Sequence, residues 1–387
     1  MFIKRKISEK LKAIANSFPV ITITGPRQSG KTTLTKMIFP GYKYVSLEDP
    51  NNRDFAANDP YGFINKYSNK TIIDEFQRVP ELTSYLQGHI DDVNAPGMYI
   101  LTGSNQFEYI RSVTQTLAGR TAIIKLLPFC IDEVNSVNNK TPDLYDVIVK
   151  GWYPRIYDQK LDHQIFYASY FDTYVQRDVR SISTVQNLSD FQNFVRLCAG
   201  RTGQILNYTN LANEVGVDKN TIKRWISILQ ASYIIELLQP YHKNFKKRII
   251  KSPKLYFLDT GLACSLIGIN ESDNLQTHPL RGEIFETFVF SELLKSYYNR
   301  VLRSNFYFFR DSNNNEIDFL IENGSGFVAI EAKLNSTPRK IHFKNFEYFS
   351  QLTDNIKENI LIYSGEENLK RYDTRILSFN SISDIVS

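Results

Sequence analysis

The stretch Gly25-Pro26-Arg27-Gln28-Ser29-Gly30-Lys31-Thr32-Thr33 constrains this chain more than any other. It follows the apolar run Phe18 to Ile23 and precedes Leu34-Thr35-Lys36-Met37-Ile38-Phe39. A buried strand (Val20, Ile21, Ile23) delivers the chain to Gly25, and a helix beginning near Lys31 points its positive end back at the loop. Backbone N–H groups and the helix end then converge on one spot, which suits a polyphosphate. In the spacing G-x-x-x-x-G-K-[ST], Lys31 reaches the β- and γ-phosphates and the Thr32 hydroxyl is placed to ligate Mg²⁺. ATP and Mg²⁺ are therefore the expected cofactors, held by the residues from Gly25 to Thr33. A chance match in a glycine-containing turn would lack the strand before and the helix after.

A second signal is independent of the first. Lys70-Thr71-Ile72-Ile73-Asp74-Glu75 is a β-branched run ending in two acids, the pattern of a buried parallel strand opening on a ligand crevice. Asp74 is expected in the Mg²⁺ shell, and Glu75 as the general base that polarises the attacking water; a solvated strand edge is the plain alternative. Helix Ile7 to Asn16 and strands at Tyr42 to Leu47, Met98 to Ser104 and Ala122 to Leu127 complete an alternation that implies a parallel sheet covered on both faces. Ser104 and Asn105 lie beside the γ-phosphate if their strand sits between the first and third, where they sense ATP against ADP. A simple Ser-Asn turn is the other reading.

At 387 residues, the chain is longer than a single core sustains, so two or three domains are expected. No apolar run approaches the ~20 residues that span a bilayer, and Met1 to Lys6 lacks the apolar stretch of a secretory signal. Cys130, Cys198 and Cys264 are widely spaced, offering neither a zinc site nor a disulfide framework, which fits the cytoplasm. A net charge of +5 implies a polyanion partner only where it is clustered.

Several phrases resemble a prokaryotic family of AAA-type ATPases that carry a carboxyl-terminal domain of unknown function. They are the phosphate loop, Ile73-Asp74-Glu75-Phe76-Gln77-Arg78-Val79-Pro80, Leu101-Thr102-Gly103-Ser104, Leu117-Ala118-Gly119-Arg120, Gly151-Trp152-Tyr153-Pro154 and Tyr174-Val175-Gln176-Arg177-Asp178-Val179. The resemblance runs through nearly the whole chain. It makes Arg120 a candidate nucleotide-sensing or finger arginine, with a structural salt bridge as the alternative. Trp152 departs from the small residue the family pattern implies at that turn.

Further along, Ile131 to Pro142 is polar and reads as a connector. Tyr145 to Lys150 and His163 to Ile182 have helical spacing, and Phe166, Tyr170, Phe171, Tyr174 and Val175 form an aromatic stripe, read as the core of a helical lid packed over the nucleotide domain. Tyr208 to Asp218 and Lys219 to Ala231, with Ile222, Trp225, Ile226 and Leu229 on one face, form a helix-turn-helix. Ser232 to Leu238 and Lys254 to Leu258 then pair as the wing of a winged helix. Lys219, Lys223, Arg224, Lys243, Lys246, Lys247, Arg248 and Lys251 cluster positive charge there, which makes DNA an expected partner. A protein-binding spacer is the alternative.

The last segment opens with an amphipathic helix from Gly282 to about Tyr298. Two strands follow, Glu316 to Ile321 and Phe327 to Lys333; a turn tip at Gly324-Ser325 sets Asp318 opposite Glu331 and Glu316 opposite Lys333, with Ile317, Phe319, Val328, Ile330 and Ala332 on the other, apolar face. Facing carboxylates are costly unless a cation relieves them, so a Mg²⁺ bridging Asp318 and Glu331 is expected, with Lys333 stabilising a scissile phosphate. The arrangement resembles restriction-endonuclease-like nucleases, with Glu286 as the helical glutamate. Its alternative is an inert scaffold in which the charges simply pair.

The expected architecture is α/β throughout: an AAA-type P-loop parallel-sheet domain at 1–130, a helical lid at 131–190, a winged helix at 191–262 and a restriction-endonuclease-like α/β domain at 263–387. The expected activity is ATP hydrolysis coupled to action on DNA. The alternative is a nucleotide-dependent switch or scaffold whose terminal domain recruits a protein partner. A homo-oligomer is admitted by the sequence but not specified by it.

Overall fold

The computed structural model describes residues 3–104, 113, 115–137, 143–174, 187–241, 250–324 and 326–386. Its first compact unit is Met1–Phe129 with Ala231–Tyr233 and Tyr297–Leu302; its second is Cys130–Gln230, Ile234–Ser296 and Arg303–Ser387.

The first unit is built on strands β1 (Val20–Gly25), β2 (Lys43–Ser46), β3 (Thr71–Asp74), β4 (Tyr99–Ser104) and β5 (Thr121–Lys125), in the order β2-β3-β4-β1-β5. Every neighbouring pair is parallel. Alternate residues of a strand face opposite ways. Ile21 and Ile23 join Ile7, Leu11, Ile72 and Ile100 on one face, while Val20 joins Ile73, Leu101, Phe63, Leu86 and Ile90 on the other. Burial on both faces is why β1 reads as an unbroken apolar run. The expected parallel sheet is present, and β4 lies between β1 and β3 with Ser104 opposite Gly25.

In the second unit the segment expected to be a connector begins instead as a helix, Ile131–Asn135, with Ile131 and Val134 buried. Its amino end is capped by two carboxylates, one from its own first turn and one from helix Arg281–Asn299. The Cys130 N–H donates to Glu133 Oε2 at 3.0 Å, and the Ile131 N–H donates to Glu292 Oε2 at 2.9 Å. Residues 138–142 lie outside the described residues, as do Val175 to Val179 of the later family phrase. The aromatic stripe is core, as expected, within the second unit. Phe166, Tyr170, Phe171 and Tyr174 on helix His163–Tyr174 pack with Phe191, Phe194, Trp225 and Leu229 of the second unit's own helices.

A buried carboxylate ties this core together. Asp259 accepts from the Trp152 N–H at 2.9 Å, the Leu262 N–H at 2.9 Å and the Tyr167 hydroxyl at 2.7 Å. Trp152 is fully buried, stacked near Phe288, with the Lys295 ammonium 4.9 Å from its ring. The large side chain at that turn is thus a packing element. Asp259→Ala strands the buried Trp152 and Leu262 N–H groups and leaves the Tyr167 hydroxyl only Lys150 O at 3.0 Å, so it is expected to lower unfolding stability by about 2 kcal/mol or more, read by urea denaturation; a loss within the scatter of surface substitutions would count against this network.

Helices Leu188–Ala199, Tyr208–Val215 and Lys219–Ala231 precede a strand hairpin. Gly216, at φ +81°, turns the chain between the last two helices. Strands β6 (Gln204–Ile205), β7 (Ile235–Pro240) and β8 (Lys254–Phe257) pair antiparallel, β8 between the others. The hairpin expected as a wing is therefore formed, but β7 also pairs parallel with β9 (Phe306–Arg310). Through it the hairpin joins β10 (Glu316–Asn323), β11 (Gly326–Lys333), β12 (Ile356–Tyr363), β13 (Leu369–Arg371) and β14 (Thr374–Ser378) in one sheet, ordered β13-β14-β12-β11-β10-β9-β7-β8-β6 among the described residues. Asn323 pairs with Gly326 and Phe319 with Ile330, so the β10–β11 register is the expected one. Both hairpin faces are covered, contrary to the single apolar face expected. Leu320, Phe327 and Ala329 are buried with Phe346 and Phe349, while Phe319 packs near Phe290 and Tyr256.

Candidate functional sites

In the first unit the phosphate loop is held from behind. The buried Arg5 guanidinium donates to Ser29 O at 2.9 Å and Leu127 O at 2.6 Å. Gly25 passes so near β5's continuation that a Cβ there would lie 2.1 Å from Leu126 O, and Gly30, at φ +90°, starts helix Lys31–Ile38 from the left-handed region. Only glycine fits both demands without strain. The Lys31 ammonium folds over the loop, donating to Gly25 O at 3.0 Å and Pro26 O at 2.8 Å. Ser29 Oγ is buried without a hydrogen-bond partner among the described residues.

Asp74 closes β3 and gathers three hydroxyls. Thr32 Oγ1 donates to its Oδ2 at 2.9 Å, Tyr44 OH donates to Oδ2 at 2.8 Å, and Thr102 Oγ1 donates to Oδ1. Glu75 follows in the left-handed region, φ 53°. Gln77 Nε2 donates both to Glu75 Oε2 and, at 3.1 Å, to Ser104 Oγ. The expected loop residues, Asp74, Glu75 and Ser104 thus meet at the carboxyl ends of β1, β3 and β4; Asn105 lies outside the described residues. A lysine over a glycine loop, with a hydroxyl on a carboxylate beside it, is a donor set that fits a polyphosphate and a hard divalent cation. Sequence reasoning missed Arg5, Tyr44, Thr102 as a ligand of Asp74, and Gln77.

Arg120 is not brought to this place. It precedes β5 and its carbonyl accepts from the Val20 N–H, so it stands at the amino end of the sheet, about 17 Å of strand from the loop. Its guanidinium makes a forked pair with Asp91, Nε–Oδ1 2.5 Å and Nη2–Oδ2 2.8 Å. The structural alternative for Arg120 is the one realised within this chain.

The second unit holds a cleft of about 890 Å³ whose lining includes Gln204, Lys254, Arg281, Glu286, Asp318 and Lys333. Carboxylate oxygens of Glu286, Glu316 and Asp318 lie within 4.8 Å of one another. Lys254, only 2% exposed, puts its Nζ 2.8 Å from Glu286 Oε1 and also pairs with Glu316. Lys333 Nζ lies 3.0 Å from Asp318 Oδ2 and 2.5 Å from Glu331 Oε2, and Arg310 lies 3.1 Å from Glu316. Asp318 and Glu331, the pair expected to share a metal, thus both lie against the Lys333 ammonium. The carboxylates close enough together to share a cation among the described residues are Glu286, Glu316 and Asp318.

Burial pushes the Glu331 carboxyl up, and the nearby Asp318 charge adds to this. Burial also raises Glu286, against the pull of Lys254. For Asp318 burial acts upward too, but Lys333 and Lys254 together hold it below the usual carboxylate range. Lys254, which no motif reading singled out, is the residue that sequence reasoning missed here.

Residues 17–135 match the sequence model of an AAA domain; residues 141–273 and 281–382 match two domains of unknown function (DUF8612 and DUF4143). Over 396 residues the chain is 26% identical to the uncharacterized proteins Rv2008c of Mycobacterium tuberculosis and Mb2031c of Mycobacterium bovis, covering 99% of this chain and 87% of each relative. Among solved structures it is similar to the Walker-type ATPase PABY2304 of Pyrococcus abyssi, at 14% identity and a TM-score of 0.44, over 69% of this chain and 96% of that one. Among the described residues no helix is long and apolar enough to cross a membrane. The match over residues 17–135, on a parallel sheet that ends in a phosphate loop, places an AAA-type, ATPase-like domain at the amino-terminal part of this chain.

Proposed function

We propose that the first unit binds ATP with Mg²⁺ and hydrolyses it, and that the second unit directs this cycle to DNA. The observation that carries the reading is the convergence of Thr32, Thr102 and Tyr44 on Asp74 beside a loop already folded around Lys31. Bound Mg²⁺ supplies neutralising charge to the β- and γ-phosphates. Backbone N–H groups from Gly25 to Thr33 cradle the phosphates, with Pro26, Arg27, Gln28 and Ser29 forming the curl. Lys31 faces the β- and γ-phosphates, Thr32 and Asp74 hold the metal shell, and Glu75 takes the proton of the attacking water. Ser104, joined to Glu75 through Gln77, stands where a γ-phosphate is sensed. Phosphate release from ATP that requires Mg²⁺ and stops in EDTA tests the reading. The buried thiols of Cys130, Cys198 and Cys264, none of them in a disulfide, support a reducing, cytoplasmic setting.

For DNA, the support is the exposed Lys219, Lys223 and Arg224 on helix Lys219–Ala231, whose opposite face is buried. Lys243, Lys246, Lys247 and Arg248 lie outside the described residues. Replacing Lys219, Lys223 and Arg224 with alanine is expected to weaken duplex binding and to flatten the plot of log K against log salt by about 0.9 for each phosphate no longer neutralised. A parent protein without DNA affinity at low salt would leave these helices as a protein-binding module.

The terminal cleft admits two readings. Glu286, Asp318, Glu331 and Lys333 form the framework of a metal-dependent phosphodiester site. Against this, Lys254 and Lys333 already compensate the carboxylates, which favours the nucleotide-dependent switch or scaffold that cuts nothing. Plasmid nicking by purified protein in Mg²⁺ or Mn²⁺ supports the first, and intact plasmid with ATP and either ion supports the second.

A further inference from the structure

A lysine beside the reacting carboxylates is part of a phosphodiester framework, and Lys333 fills that place. Lys254 is an additional one. We infer that Lys254 is a built-in counter-cation: its ammonium takes the position a divalent ion would hold among Glu286, Glu316 and Asp318, and such an ion enters only when Lys254 leaves. The inference rests on reading those three carboxylates as a cation site.

The charge pattern supports it. Three carboxylates within 4.8 Å of one another repel strongly in a buried setting. Lys254 answers that repulsion from β8, an inner strand between β6 and β7, with a side chain only 3% exposed and its ammonium 5.6 Å from the centre of the Phe308 ring. Its Nζ bonds Glu286 and pairs with Glu316, while Arg310 supports Glu316 and Lys333 supports Asp318. Each of the three acids therefore already has a cationic partner. An entering divalent ion would meet compensated ligands and an ammonium a few ångströms away. The Tyr256 hydroxyl, two residues along the same strand, also donates to Glu286 Oε1, so β8 grips that acid twice.

The origin of the two charges gives the contact a regulatory sense. Lys254 belongs to the segment matched at 141–273 and the carboxylates to the segment matched at 281–382. A shift of the β7–β8 hairpin that withdraws Lys254 would expose a cation site without any change in the carboxylates.

The test is a Mn²⁺ titration of the full-length, nucleotide-free protein, read by the electron paramagnetic resonance signal of free Mn²⁺. Lys254→Met is expected to gain one Mn²⁺ bound at least about tenfold more tightly than in the parent, because a positive charge near the ion has gone. Lys254→Met combined with Glu286→Gln is expected to lose that ion. Melting temperature is a second readout: the single variant should be less stable in EDTA and should recover with Mn²⁺, since a ligand bound only by the folded state stabilises it. If Lys254→Met does not fold, Lys254→Gln serves instead, keeping a donor toward Glu286 while removing the charge. Equally tight Mn²⁺ binding by parent and Lys254 variants, lost in Glu286→Gln, overturns the inference and leaves the cation-site reading standing. Absence of the extra ion from every variant overturns both.

Discussion

Lys31→Ala is expected to abolish measurable ATP binding, a loss of about a thousandfold or more. The ammonium already sits over the loop, 3.0 Å from Gly25 O and 2.8 Å from Pro26 O, where a β- or γ-phosphate oxygen would compete for its protons. Two or so charge-assisted hydrogen bonds at about 2 kcal/mol each give roughly 4 kcal/mol, which is about three powers of ten in affinity. The fold itself should survive, because Arg5 pins the loop from the other side and Gly25 and Gly30 set its curl independently of Lys31. A melting temperature close to the parent's would separate lost binding from lost structure. Lys31→Arg is not expected to rescue, since a planar guanidinium fork does not fit where a compact ammonium points at two carbonyls. Isothermal titration with ATP decides the matter; an unchanged dissociation constant would remove the loop from the nucleotide site.

What could be read beforehand follows a physical line. The order strand, loop, helix at Val20 to Ile38 is local, and its residues carry both the hydrophobic period and the ligand spacing, so sequence alone located it. The β10–β11 register was legible for a similar reason. With only two residues between Asn323 and Gly326, the chain has few ways to pair. Contacts that depend on strand order were not legible. Tyr44 and Thr102 reach Asp74 because β2 and β4 flank β3, which alternation of strands and helices does not specify. Arg5 reaches Leu127 O across more than a hundred residues. Lys254 looks like one more cation in a basic stretch, and it meets the carboxylates only because β7 pairs with β9 and so joins the hairpin to the terminal strands. The helix Ile131–Asn135 was hidden by its own caps, since Glu133 is polar in sequence yet buried in use. For Arg120 the sequence left two roles open, because a short Gly-Arg phrase carries no information about which end of the sheet it occupies.

Glu75→Gln is expected to keep ATP binding and slow hydrolysis by about a hundredfold or more, because the water loses its base while the phosphate and metal contacts remain. Glu75 is the next residue after Asp74, yet the two have different partners. Asp74 is held by Thr32, Tyr44 and Thr102, whereas Glu75 turns away through a left-handed backbone and meets Gln77. A non-glycine residue in that conformation costs about 1 kcal/mol or more, and such strain tends to persist where a side chain must be aimed. The amide introduced by Glu75→Gln would fill the same space and still accept from Gln77, so folding should be unaffected. The kinetic signature is a fall in kcat with little change in KM, since the lost interaction operates in the transition state and not in the ground state. Asp74→Asn should behave differently, raising the Mg²⁺ concentration needed for half-maximal rate. If Glu75→Gln hydrolyses ATP at the parent rate, water activation lies with another group. Ser104, tied to Glu75 through the Gln77 amide at the end of β4, is then the next side chain to test.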